Sequence, residues 1–139
     1  MTQAEVQPVL DNPITRVEPN AKAYKIPVAP NGSCTYHAGL EAAVVALSKQ
    51  SAAKGSSDWK IAEATWFSSA QYHSEVVPAG QLGDRALWSE NPKGAGGGYA
   101  VSKYPYLVNV VIAGKLPRSP EDYTAKLRQL TALVLSRLR

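Results

Sequence analysis

The residues that most restrict the fold of this chain lie between Leu82 and Gly114. Within them, Leu107 to Ala113 is the most β-branched run in the sequence, and a well-signalled helix start follows it at Ser119. β-Branched side chains lose freedom in a helix and pack well on a pleated surface, so the run predicts a strand. Asn109 marks an outer face shared with Leu107 and Val111, which leaves Val108, Val110 and Ile112 pointing inward. Arg85–Ser89 and Tyr99–Lys103 read as two more strands, the second joined to Leu107–Ala113 by a hairpin around Tyr104, Pro105 and Tyr106. The expectation is an α+β fold, a single curved antiparallel sheet with Leu107–Ala113 as its central strand. A short N-terminal helix, a central helix and a C-terminal helix pack on it, and residues 1–139 make one domain.

The remaining elements follow in order. Thr2 and Glu5 have capping-box spacing and predict a helix of about two turns with Val6, Val9 and Leu10 on its apolar side. Pro8 weakens it and Asn12-Pro13 ends it. Ile14–Glu18 alternates and reads as a strand, whereas Tyr24–Val28, interrupted by Pro27, is at best an edge. After a turn at Pro30-Asn31-Gly32, Ser33–His37 reads as a strand with Cys34 and Tyr36 on one face and Thr35 and His37 on the other. Ala42–Ser48 is expected to pair back on Cys34–Ala38 around Gly39. A small, polar loop, Ser51–Ser57, precedes a helix capped by Ser57 or Asp58, with Trp59, Ala62, Trp66 and Ala70 as its buried stripe, ending before Pro78. Asn91–Gly98 reads as a loop. Ser119-Pro-Glu-Asp122 starts the last helix, whose inner face is Tyr123, Leu127, Leu130, Val134 and Leu138.

Composition narrows the function classes. At 139 residues and 45% hydrophobic, the chain has material for a real core. Its apolar runs fall far short of the ~18 residues that span a bilayer. Net charge is +4 and the pI about 9.2, yet the cations are scattered, and the densest group (Lys126, Arg128, Arg137, Arg139) suits the end of a helix. Without a basic stripe, nucleic acid is not the expected partner. A single cysteine, Cys34, supports neither an intrachain disulfide nor a zinc set.

The local motifs resolve toward plain readings. The glycines from Gly94 to Gly98 precede a strand and lack a following Gly-Lys-Ser or Gly-Lys-Thr, so they connect strands instead of cradling phosphate. Cys34 and His37 point to opposite faces, and His37, His73 and Cys34 lack ligand spacing, so no catalytic residue, metal or cofactor is predicted. Asp84 fits the turn before a strand, bonding local amides. Tyr104 and Tyr106 leave two readings open: aromatics on a hairpin tip are poorly buried by their own fold and serve as anchors in interfaces, or at least one of them folds back on the sheet. With Trp88, placed near the groove between sheet and helices, they are the candidate ligand- or partner-binding residues.

Several short stretches resemble one group of proteins. Met1-Thr-Gln-Ala-Glu-Val6 with Pro13-Ile-Thr-Arg-Val17, Cys34-Thr-Tyr36, Gln81-Leu-Gly-Asp-Arg-Ala-Leu-Trp88, Val101-Ser-Lys103 with Val108–Ile112, and Leu130–Leu138 resemble small secreted or lipid-anchored bacterial domains of unknown function. These are similar in shape to sensor-type lipoproteins and the PsbP class. The resemblance implies a periplasmic or cell-surface location, with peripheral membrane attachment through an N-terminal lipid anchor ahead of the given residues. It also implies a bridge from Cys34 to a cysteine ahead of Met1, unless this member lacks it; Lys103-Tyr-Pro-Tyr106 replaces the group's lysine-glycine turn. It carries over no catalytic residue. The expected function is a non-enzymatic binding domain for a partner protein or small envelope ligand. The alternatives are an assembly, chaperone-like or immunity-like protein holding one cognate chain, and an enzyme of unrecognised chemistry.

Overall fold

Leu107–Ala113 lies within strand β7 (Tyr106–Ala113), which has three strands on either side of it. In the computed structural model, which describes residues 2–19, 32–68, 73–77, 82–90, 96–114 and 120–138, the other strands are β1 (Arg16–Pro19), β2 (Gly32–Ala38), β3 (Glu41–Lys49), β4 (His73–Val77), β5 (Arg85–Glu90) and β6 (Gly96–Lys103). They form one open antiparallel sheet in the order β1-β2-β3-β7-β6-β5-β4. Helix α1 (Gln3–Val6) runs into a 3-10 turn (Gln7–Val9); α2 (Ser57–Ser68) links β3 to β4, and α3 (Pro120–Ser136) follows β7. This is the expected α+β class. The expected edge at Tyr24–Val28, the expected helix positions Ala70 and Ser119, and the side chains of His73 and Tyr123 lie outside the described residues.

The two faces of β7 enter two different cores. Val108, Val110 and Ile112 are fully buried with Ala43, Val45, Tyr99 and Val101 from β3 and β6. Leu127, Leu130, Val134 and Leu135 of α3, with Val6, Val9 and Leu10, cover that face. Burying each such aliphatic side chain contributes up to about 1.5–3 kcal/mol. On the other face Leu107 and Ala100 meet Trp59, Trp66 and Phe67 of α2, and Trp66 Nε1 donates to the Val108 carbonyl at 3.1 Å. The helices therefore sandwich the sheet. The expected outer face is not a wet one: Leu107 is fully buried and Asn109 is only 9% exposed.

Three boundaries depart from expectation. Helix α2 ends at Ser68, short of the expected stop before Pro78, because His73–Val77 pairs with β5 as strand β4, Val76 opposite Leu87 and Val77 opposite Ala86. β6 begins at Gly96, so Gly96, Gly97 and Gly98 pair with β7 and do not belong to a loop. A β-carbon on Gly98 would stand 2.5 Å from the Val110 oxygen and 2.7 Å from the Val111 Cα, so the bare backbone lets these strands close up. Helix α2 is capped by Ser56, not by Ser57 or Asp58: the Ser56 hydroxyl accepts the Trp59 amide at 3.2 Å.

The chain ends interlock over the first core. The capping box is present, with Thr2 N donating to Glu5 Oε2 at 2.7 Å and Glu5 N to the Thr2 hydroxyl at 3.3 Å. Arg137, just past α3, grips the same carboxylate with both guanidinium nitrogens. Lys103 Nζ donates to the Leu135 carbonyl at 3.0 Å, occupying an acceptor at the end of α3. Arg137, followed by the Thr2 amide, holds Glu5 down from about 4.5 to about 2.

Two outcomes follow from this packing. Gly98→Ala should lower stability by about 3 kcal/mol, since the obstacle is backbone; urea unfolding at an unchanged midpoint would refute the close approach. Because the Glu5 carboxyl is depressed in the folded state, the clasp stabilises fully above pH ~4.5 and is lost as pH falls toward ~2. Arg137→Ala should therefore melt below the parent protein at pH 7, with the gap closing through that interval. A gap independent of pH would rule the clasp out.

Candidate binding surface

The turn between β6 and β7 is two residues long, because Lys103 pairs with Tyr106 across it. Three neighbouring segments hold it. From the loop after β3, Gln50 N donates to the Pro105 carbonyl at 2.8 Å, and the Tyr104 hydroxyl donates to the Ala52 carbonyl at 2.8 Å. From the turn before β5, Asp84 Oδ2 accepts the Tyr104 amide at 3.0 Å while Asp84 N donates to Ser102 O at 2.8 Å. Asp84 thus bonds across the hairpin, not within its own turn as expected. Gly83, at φ +63°, makes that approach possible, since a β-carbon there would sit 2.6 Å from Ser102 O. From α2, the Trp59 ring meets the Tyr104 ring edge to face, centroids 5.1 Å apart.

The three candidate residues do not form one patch. Tyr104 is half-buried against the second core beside Trp59 and Ala52. Tyr106 is half-buried against the first core, with Lys49 Nζ 5.8 Å from its ring centre. The tyrosines therefore splay to opposite faces of the sheet at one end of it. Trp88 sits apart from both, 8% exposed in the first core, its ring 4.9 Å from that of Tyr99. Its register opposite Tyr99 on β6 puts it inside, whereas sequence reasoning puts it near a groove. Sequence reasoning also missed Trp59 and Lys49 as parts of this end. Lys49 becomes Tyr106's neighbour only through the β3–β7 register.

A second polar group lies along β1 and β2. His37 Nε2 is 3.0 Å from Glu18 Oε2 and 3.4 Å from Arg16 Nη2, and Arg16 is 3.7 Å from the same carboxylate. One ring nitrogen cannot donate to Glu18 and accept from Arg16 together, so the tautomer selects one contact. Thr35, two residues along β2 on the same face, is fully buried, and its hydroxyl has no partner among the described residues. A base acts on a nucleophile within hydrogen-bond reach, and His37 makes no such bond to Thr35. Cys34 faces the other way, packed on the first core next to Tyr36. Burial, and then the Cys34 thiol, pushes the Tyr36 hydroxyl up to about 12. Among the described residues no three His, Cys, Asp or Glu side chains gather as a metal set.

Comparison with protein-family models, with curated proteins and with solved structures finds no match to this chain. The geometry alone makes the tyrosine end the better-built surface, fixed from three sides with both rings part-exposed. Tyr104→Phe should cost about 1 kcal/mol, the usual net worth of one hydrogen bond. Chemical denaturation measures it, and a neutral result would mean the Ala52 bond does not hold the tip.

Proposed function

We propose that this chain is a non-enzymatic binding domain acting outside the cytoplasm, in the periplasm or at the cell surface, and that it engages its partner or envelope ligand through the β6–β7 hairpin end. The location rests on the sequence resemblance carried by Cys34-Thr-Tyr36 and Gln81–Trp88. The binding role rests on one observation. The hairpin tip is immobilised by bonds to Gln50, Ala52 and Asp84, yet Tyr104 and Tyr106 remain part-exposed. Ordering a side chain at the moment of binding costs affinity, so aromatic anchors that are already fixed bind at lower cost. Tyrosine also offers a large apolar body with a polar tip, which is why it concentrates at interfaces.

The test is capture from envelope extract on immobilised protein, with the retained species identified by mass spectrometry and its affinity remeasured in pure form. Tyr106→Ala should weaken that affinity about 30-fold, the effect of losing a hot-spot side chain. A partner held equally well by Tyr106→Ala and Tyr104→Ala, or no partner at all, defeats the reading.

A further inference from the structure

The loop that clamps the hairpin is also where exposed lysines gather. Lys49 ends β3 beside Tyr106, Lys54 lies in the loop whose Ala52 carbonyl holds Tyr104, and Lys60 is in the first turn of α2, its amide bonded to Ser56 O. All three side chains are exposed. Among the described acids near this end, Glu63 stands 3.8 Å from Arg85, while Asp84, which accepts the Tyr104 amide, is exposed. Asp84 and Asp58, the latter in the first turn of α2, are the counterweight to the lysines. Between the lysines the loop is Ser51-Ala-Ala-Lys-Gly-Ser56, small residues that let a flat surface come close, and Gly55 has open space around it. The twelve-residue α2 also begins here, adding the positive end of its dipole.

We infer that the hairpin end of the molecule seats on an anionic phospholipid surface, with Lys49, Lys54 and Lys60 facing headgroup phosphates and Tyr104 and Tyr106 at the level of the headgroups. This rests on the binding reading above and names its counter-surface. Lysines held near an anionic leaflet are attracted over a Debye length, and tyrosine rings settle at the membrane–water interface because one end is apolar and the other wet. A nucleic acid has the same phosphates, but it is best held by a continuous basic track. Here the lysines lie between the end of β3 and the first turn of α2, beside a tip that carries aromatic rings, which suits a plane better than a strand.

The test is flotation of the whole chain with vesicles of phosphatidylcholine containing about one-third phosphatidylglycerol, against vesicles of phosphatidylcholine alone. Binding is expected only to the anionic vesicles. It should weaken steeply with added salt and fall on the order of 100-fold in Lys49→Gln/Lys54→Gln/Lys60→Gln, about five-fold per lysine. Lys54 and Lys60 are exposed, and Lys49 also stands over the Tyr106 ring, so the melting temperature is compared with the parent's; if the triple variant melts lower, Lys54→Gln/Lys60→Gln takes its place with a smaller loss. No binding to anionic vesicles, or binding that survives both lysine variants, overturns the inference. If vesicles are ignored while an extract partner is still captured through Tyr106, only this inference falls and the binding domain stands. If a DNA duplex competes the protein off the vesicles and binds it more tightly than they do, the phosphate surface is that of a nucleic acid and the inference is overturned. Loss of both vesicle binding and capture removes both readings.

Discussion

Burial of β7 on both faces is the constraint from which the rest of the fold follows. A strand covered on one side alternates polar and apolar, but β7 places Val108, Val110 and Ile112 in one core and Leu107 in another. Neither core would keep the sheet dry by itself. The first needs α3 and the N-terminal segment, the second needs α2, and the indole of Trp66 ties the second to the sheet backbone at Val108. A buried indole N–H without an acceptor would be costly, and a strand carbonyl, with two lone pairs, accepts it while serving the ladder. The central strand is therefore both the ladder's middle and the anchor of the helix behind it.

The chain's ends and its hairpin turn meet at one end of this sandwich because of how β7 is approached. Lys103 of β6 reaches the last turn of α3, and Arg137 beyond that turn reaches the cap of α1. The hairpin tip is gripped from the other side by the loop after β3 and the turn before β5. That end is held by side chain–backbone bonds that join segments distant in sequence, so it is ordered without being part of either core. Such an arrangement suits a contact surface, since rigidity there does not depend on burying the residues that make contact.

Much of this architecture was legible from local sequence, and the failures share a cause. The capping box at Thr2 and Glu5, the pairing of β2 with β3 around Gly39, and the inward set of β7 depend on near neighbours, and each matches expectation. Gly96–Gly98 reads as a loop because glycine weakens strands, and its reason for being in one is the backbone of Val110 and Val111 in the next strand. Asn109 signals a wet face, but the signal is overruled by cover that a single strand's pattern does not contain. The α2 cap shifts by one residue because Ser56, Ser57 and Asp58 can all cap, and only the geometry chooses. The candidate surface suffers most, since Trp88's inward position and Lys49's place beside Tyr106 are set by register between strands.

Among the described strands β1 is an edge, and it shows why the hairpin end, and not such a strand, is the better surface for contact. An open edge offers unpaired backbone groups and invites any passing strand, so folds blunt it with shortness, charge and proline. β1 has all three: four residues, Arg16 and Glu18 engaged with His37, and Pro19 at its end. Its polar cluster is accounted for by that duty, and the fold asks for it whether or not anything binds. No such duty explains Lys54 and Lys60, which are exposed beside the hairpin and belong to neither core. Stability does not ask for like charges to be gathered there, since each one raises the repulsion felt by the others. A concentration of charge that the fold does not need, set beside aromatic rings that the fold holds still, is explained by what it meets.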